Sequence, residues 1–289
     1  MTPKRFCFLL TFLTLICAKA QTIERYGVAP DGSILQWSLY QPSGQGPWPG
    51  VILVHGGGFR SGEPETSEWN ICKKAALDLV NKGYLCVEIT YRLAPNGLIL
   101  NQPRTFNGRT TGIAAGPNAD PTIHDQMDDV RTAIHVLRNL PECDGRVFGI
   151  GGSAGGTHAI FAALTGTAGD DKLDAAVGLS GAYQFDDFLA GYNTFQSDVT
   201  NYCGVSISYP NIASLRMASP AWQDLSQSNP VLLIASEFDP MPPNQLPDMQ
   251  NALTAAGRPV KSLIISGNLH SFNYWPQVRD NILDFLSQF

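Results

Sequence analysis

The strongest constraint on the fold is a series of short apolar runs that do not alternate with polar residues. Residues 51–54, 175–179 and, up to its last residue, 231–236 are of this kind; 84–91, 146–151 and 260–265 read as further, mostly apolar strands, and 34–40 as a half-buried one. Strands that stay apolar on both faces must be buried on both faces, as in parallel sheets covered by crossover helices. The intervening sequence supplies helices. Ile123, Met127, Val130, Ile134 and Leu137 step by 4, 3, 4 and 3, which sets one apolar stripe along a helix that Pro141 ends. Residues 67–82 form another helix, with Glu65 and Glu68 near its positive end and Lys82-Gly83 closing it. A small-residue helix covers 154–164, a further helix ends at Gly257, and Val278, Ile282, Phe285 and Phe289 line a last one. The pattern predicts an α/β fold: a mostly parallel central sheet with helices on both faces.

With 289 residues, 44% of them hydrophobic and 15% charged, the chain can bury one large core. It is neither disordered nor a coiled coil. Its net charge of −6 excludes recognition of nucleic acid through a broad basic surface. The first twenty residues stand apart. Lys4 and Arg5 precede the mostly apolar run 6–18, and Ala18-Lys19-Ala20 presents small residues where a signal peptidase cleaves. We expect a signal peptide at 1–20, a single domain at 21–289, and a secreted or periplasmic product. The leader is too short to span a bilayer and no later run reaches 18 apolar residues, so no stable membrane insertion is expected. Cys72, Cys86, Cys143 and Cys203 remain. An oxidising compartment would permit disulfides in any of three pairings, and buried free thiols are the alternative.

Two stretches break the rhythm. Residues 96–121 are rich in Gly, Asn, Pro and Thr, and 181–228 carry Tyr183, Phe185, Phe188, Tyr192 and Phe195 with only scattered helical pattern. Insertions this long in a compact domain are usually functional or disordered, and 181–228 is expected to act as a loop-rich lid near the site.

Chemistry concentrates in three places. Gly151-Gly152-Ser153-Ala154-Gly155-Gly156 joins a strand to a helix. A sharp turn there exposes the serine hydroxyl to a substrate, and its crowding demands glycine two residues to either side, here Gly151 and Gly155. The helix N-terminus adds amides for a developing oxyanion. A phosphate-binding loop is disfavoured, because no Lys-Ser/Thr follows and G-x-G-x-x-G is absent; a bland tight turn stays open on this motif alone. His55-Gly56-Gly57-Gly58-Phe59 follows the 51–54 strand, and its accessible amides at Gly57 and Gly58 can face an alkoxide. His55 itself reads as a residue that shapes the loop. Asp239 and His270 follow the 231–236 and 260–265 strands, at the carboxyl ends where open α/β sheets place their sites. A histidine base needs a carboxylate to fix its tautomer. Glu237 is the rival acid, and His124, His135 and His158 are rival bases on helices or their entrances. A lone Asp or His at a strand end is usually structural, but the order Ser, Asp, His in these contexts is that of the α/β hydrolases.

With these motifs the chain resembles the α/β-hydrolase superfamily, and within it the esterases related to hormone-sensitive lipase and their compact carboxylesterase-like relatives. The matching pieces are His55-Gly56-Gly57-Gly58-Phe59, Tyr91-Arg92-Leu93-Ala94-Pro95, the Ser153 turn, Asp239-Pro240 and His270. The resemblance implies Ser153 as nucleophile, His270 as general base and acid, and Asp239 as its orienting carboxylate. It places Gly57, Gly58 and the Ala154 amide in the oxyanion hole, and it implies neither metal nor organic cofactor. Two departures matter. After the leader only 34 residues precede His55, fewer than that family's N-terminal helical cap. The acidic residue and short segment that usually follow Y-R-L-A-P are replaced by 96–121. Both shift the resemblance toward compact secreted esterases.

The expected activity is therefore hydrolysis of short-chain acyl or aryl esters through an acyl-enzyme, on a small molecule or an ester-decorated polysaccharide. An acetyl or feruloyl esterase acting on polysaccharide is the alternative. A prolyl-oligopeptidase-like peptidase uses the same turn but carries a propeller domain or dibasic anchor that this sequence does not show. A non-catalytic adhesion module on this fold usually loses a triad member, and none is lost here. The sequence assigns no oligomeric state.

Overall fold

A computed structural model describes residues 22–62, 67–94, 104–106, 109–111, 123–191 and 195–289. The expected signal peptide, and most of 96–121, lie outside these residues. In chain order the elements are β1 (Thr22–Val28), β2 (Ile34–Tyr40), β3 (Trp48–Val54), α1 (Ser67–Val80), β4 (Leu85–Ile89), β5 (Arg104–Phe106), β6 (Arg109–Thr111) and α2 (Ile123–Arg138). There follow β7 (Cys143–Gly152), α3 (Ala154–Leu164), β8 (Ala175–Leu179), α4 (Gln196–Cys203), α5 (Ile212–Ala218), β9 (Val231–Ser236), α6 (Gln245–Ala255), β10 (Val260–Ile265) and α7 (Trp275–Leu286).

Eight strands form one sheet in the order β1-β2-β4-β3-β7-β8-β9-β10, and β5 pairs with β6. The β1–β2 and β2–β4 pairs are antiparallel, and from β4 through β10 every pair is parallel. The α/β fold expected from the apolar runs is the fold observed. Strand β3 shows why those runs do not alternate. Ile52 and Val54 enter a core that includes Val130 and Ile134 of α2, Ile160 of α3 and Leu253 of α6. Val51 and Leu53 point the other way, into a core with Ala75 and Leu79 of α1 and Val278 and Ile282 of α7. All four residues have no exposed surface. At roughly 1.5–3 kcal/mol per fully buried aliphatic side chain, a polar residue at any of them would cost a large share of a typical domain's stability.

Strand β1 has no counterpart among the sequence expectations. It is an outer strand, largely exposed, with Ile23 at 41% and Val28 at 45% exposure. Pairing with β2 holds it more than burial does, so it has no hydrophobic pattern to betray it. Residues 181–228, apart from 192–194, which lie outside the described residues, are built from α4, α5 and short 3₁₀ turns at 185–190, 209–211, 220–222 and 225–227. Helices this short do not complete enough turns to display a period, yet they pack on a buried cluster of Phe185, Phe188 and Tyr202. Among the described residues no helix is long and apolar enough to cross a membrane. Cys86, Cys143 and Cys203 are free thiols, and Cys72 is buried. Burial raises the thiol pKa of Cys86 and Cys143 and pushes that of Cys203 to about 12.

Candidate active site

Five strands end at one edge of the sheet, and each delivers a residue there. Strand β3 leads to His55, β7 to Ser153, β8 to Ser180, β9 to Asp239 and β10 to His270.

Ser153 sits between β7 and α3 with φ 52° and ψ −120°. A non-glycine residue with positive φ is strained, and here the strain turns the side chain out of the strand direction. The turn is held by its amide, which donates to Leu179 O at 2.7 Å, and by the Thr157 amide, which donates to Ser153 O at 3.1 Å. The two flanking glycines are sterically required. A Cβ on Gly151 would stand 2.7 Å from the Gly156 nitrogen, and one on Gly155 would stand 2.5 Å from His55 O. Gly152 packs against Ser271 and the Phe272 ring, and a Cβ there would come within 2.7 Å of that ring, so the residues after His270 lie directly on the serine turn.

His270 and Asp239 are joined. His270 Nδ1 donates to Asp239 Oδ1 at 3.0 Å, and the Met241 amide donates to the same oxygen at 3.0 Å. This leaves His270 Nε2 on the side away from the carboxylate. Burial alone would raise the Asp239 pKa, but the hydrogen bond and charge of His270, with the Ser180 hydroxyl and the Met241 amide, outweigh it and hold the carboxyl below its ordinary value. Among the described residues no hydrogen bond joins the Ser153 hydroxyl to His270; such contacts are commonly loose before substrate binds.

The glycine loop after β3 is braced from below. Gly57 and Gly58 have φ 109° and 59°, a region open to glycine. Gly57 O accepts from the amides of Arg60 and Ser61 and from the Ser61 hydroxyl. Phe59 O accepts from the Ala94 amide at 2.8 Å and from Gln126 Nε2 at 2.8 Å. Tyr91 donates to His55 O at 3.0 Å and stacks on the His55 ring at 4.4 Å. Arg92 in turn grips Asp129 of α2, Nε to Oδ2 at 2.9 Å, with its amide on the same oxygen at 2.8 Å. The Tyr91-Arg92-Leu93-Ala94 segment thus anchors the glycine loop to β4 and α2. His55 is buried at 2% exposure, in keeping with a loop-shaping part.

The rival residues go elsewhere. Glu237 is exposed and its amide donates to Ile265 O. His135 is exposed and pairs with Asp170. His158 is fully buried in α3, bonded through Nε2 to Gln126 Oε1 at 2.9 Å, and burial together with His55 lowers its pKa to about 3. The His124 side chain lies outside the described residues.

Two further features border the site, the first within the stretch expected to act as a lid, the second not foreseen from the sequence. The first is a cover. Phe195 stacks on the His270 ring at 5.9 Å and 19°. From α4, Asp198 lies against Gly58, where a Cβ would meet the Asp198 Cγ at 2.6 Å, and it pairs with Arg60 at 2.5 Å. Tyr202 stacks on Phe59 at 3.9 Å. Burial raises the Asp198 pKa against the opposing pull of Arg60. The second is Ser180, whose hydroxyl contacts Asp239. Its only signal in the sequence is a polar residue directly after an apolar strand on this edge.

A family model for the alpha/beta hydrolase fold matches residues 121–274. No curated protein sequence matches the chain. Among solved structures, esterase 2 of the planctomycete Thermogutta terrifontis with propionate bound superposes with a TM-score of 0.68 at 16% identity, covering 93% of this chain and 94% of that one. The same esterase phosphorylated by paraoxon gives 0.67 at 15% identity, covering 93% and 94%. An acylaminoacyl peptidase bound to a chloromethyl ketone gives 0.64 at 18% identity, covering 92% of this chain but 41% of that one.

Proposed function

The chain belongs to the α/β-hydrolase family, and on that premise we propose that it is a serine carboxylic-ester hydrolase acting on short-chain acyl or aryl esters. The observation that carries the reading is the Asp239–His270 pair beside a serine held at φ 52° on the turn from β7 to α3. In this reading Ser153 Oγ attacks the ester carbonyl while His270 Nε2 takes its proton. The carbonyl oxygen becomes an oxyanion facing the amides of Gly57, Gly58 and Ala154. Collapse expels the alcohol, which receives the proton from His270, and leaves an acyl-serine. Water, deprotonated by His270, then releases the acid and restores Ser153. Asp239 keeps the Nδ1 proton in place and stabilises the imidazolium. The scheme uses no metal and no organic cofactor.

Short acyl groups are favoured because α4 and Phe195 press on the site: Phe195 lies over His270 and Asp198 abuts Gly58. The Thermogutta esterase is described with propionate and with butyrate bound, which supports the same size class. The proposal includes a signal peptide at 1–20 and with it a secreted or periplasmic location; removal of acetyl or feruloyl groups from a polysaccharide is the alternative activity. The deciding experiment is Ser153→Ala, expected to remove on the order of 10⁶ in turnover on p-nitrophenyl butyrate while leaving the fold intact. An organophosphate should label Ser153 in the wild type. Labelling at another residue, or substantial activity in the purified variant, sinks the assignment; cleavage of aminoacyl p-nitroanilides in preference to esters would favour a peptidase.

A further inference from the structure

Strand β8 ends at Leu179, and the next residue, Ser180, carries no role in the scheme above. It is 3% exposed and has φ 53°, a backbone conformation that a serine adopts at a cost and that glycine would adopt freely. Its hydroxyl has three partners. It bonds Asp239 Oδ2, the Ser271 amide at 3.0 Å and the Tyr274 hydroxyl at 2.9 Å. A serine has one hydroxyl hydrogen and a carboxylate only accepts, so that hydrogen goes to Asp239. The Ser271 amide then donates to Ser180 Oγ, and Tyr274 shares its hydrogen between Ser180 Oγ and Ile234 O at 3.0 Å.

We propose that Ser180 is a positioning residue for the Asp239–His270 pair: one buried hydroxyl holds the oxygen of Asp239 that His270 does not use and, through the Ser271 amide, the backbone next to His270. The inference rests on the assignment of Asp239 and His270 as acid and base. Asp239 Oδ1 takes His270 and the Met241 amide, and among the described residues Ser180 is the side chain that bonds Oδ2. Asp239 and Ser180 both border a cavity of about 210 Å³, shared with Tyr183, Met241 and Leu246. A carboxylate released by Ser180 has room to turn toward it and away from Nδ1. Ser180 touches no reacting atom and acts only by keeping Oδ1 aimed at the imidazole.

The test compares Ser180→Ala, Ser180→Gly and Tyr274→Phe in ester hydrolysis, with His270 Nδ1–H followed as a low-field proton resonance. Misplacing a catalytic group by an ångström costs up to about 10², so Ser180→Ala should lower kcat tenfold to a hundredfold with KM within about twofold. The Nδ1–H resonance should move upfield or broaden by exchange. Ser180→Gly removes the hydroxyl but relieves the backbone, so an equal loss of kcat assigns the effect to the hydroxyl; recovery to wild-type rate assigns it to the backbone and overturns the proposal. Tyr274→Phe leaves the Ser180–Asp239 bond and should stay within about threefold of wild type with its resonance in place. An unmoved resonance in Ser180→Ala, or a kcat above half of wild type, also overturns it. Either result leaves the ester-hydrolase reading standing, since that reading fails only if the wild type is inactive on esters or Ser153→Ala stays active.

Discussion

Replacing Gly151 with alanine tests whether the serine turn is as tight as its geometry requires. The new Cβ would stand 2.7 Å from the Gly156 nitrogen and nearer still to the Gly155 carbonyl. That is about 0.8 Å short of the ~3.5 Å of an ordinary non-bonded contact. The atoms in the way are backbone, with no flexible side chain to swing aside, so β7 and the first turn of α3 must separate. Overpacking of this kind costs about 1–3 kcal/mol of stability, and carrying Ser153 by nearly an ångström costs on the order of 10² in kcat, about 2.7 kcal/mol of barrier. Gly156→Ala is the matched control one turn along. Its Cβ meets Gly151 O at 3.1 Å and Leu179 O at 3.2 Å, a deficit of a few tenths of an ångström. The gain of about 0.8–1 kcal/mol for alanine over glycine inside a helix offsets it. We therefore expect Gly151→Ala to lose about a hundredfold in kcat and to melt earlier, and Gly156→Ala to keep kcat within about tenfold with little change in melting temperature. The assay is kcat and KM on p-nitrophenyl butyrate with thermal unfolding of the same samples. Wild-type rate and stability in Gly151→Ala, or equal damage from both substitutions, would refute the steric argument.

Asp239→Asn should lower turnover by about 10⁴ through the wrong histidine tautomer, whereas Glu237→Gln should stay near wild type; the reverse order would show that the acid has been misassigned. His158 is held neutral at about 3 against an ordinary 6.5, so between those values the unfolded chain binds a proton that the folded chain does not, and stability falls as pH drops through that window by up to about 1.4 kcal/mol per unit. Urea unfolding at pH 7 and pH 5 should show the loss in wild type and a smaller one in His158→Leu, whatever that variant's absolute stability; equal losses would place the acid sensitivity elsewhere. Phe195→Ala uncovers one face of His270 and should extend the acyl range, raising kcat/KM for octanoyl relative to butyryl p-nitrophenyl esters by about tenfold, within the 1–3 kcal/mol per methylene that a pocket wall commands. In the wild type, a maximum at eight carbons or beyond would contradict the short-acyl reading.

The sequence by itself determined whatever depends on local pattern. Runs 175–179 and 231–235 are apolar because both faces of β8 and β9 are covered, and the strands observed span 175–179 and 231–236. Gly151 and Gly155 were legible because a strand-to-helix turn this sharp admits no Cβ two residues to either side of the serine, and the structure puts backbone atoms where those Cβ atoms would be. The chain order of Ser153, Asp239 and His270 pointed to one edge of a parallel sheet because each residue follows an apolar run. Only the tertiary structure decided which carboxylate meets His270, since Glu237 and Asp239 sit on one short loop and just one of them turns inward. It alone assembled Ser180 with Asp239, Ser271 and Tyr274, partners 59, 91 and 94 residues away. Within the stretch expected as a lid, it alone decided that Phe195 meets His270 and that Asp198 of α4 meets Gly58. The physical reason is the same in each case. A strand or an amphipathic helix repeats its signal over several residues, whereas a single hydroxyl or one stacked ring acquires its meaning only when sheet closure brings distant loops together.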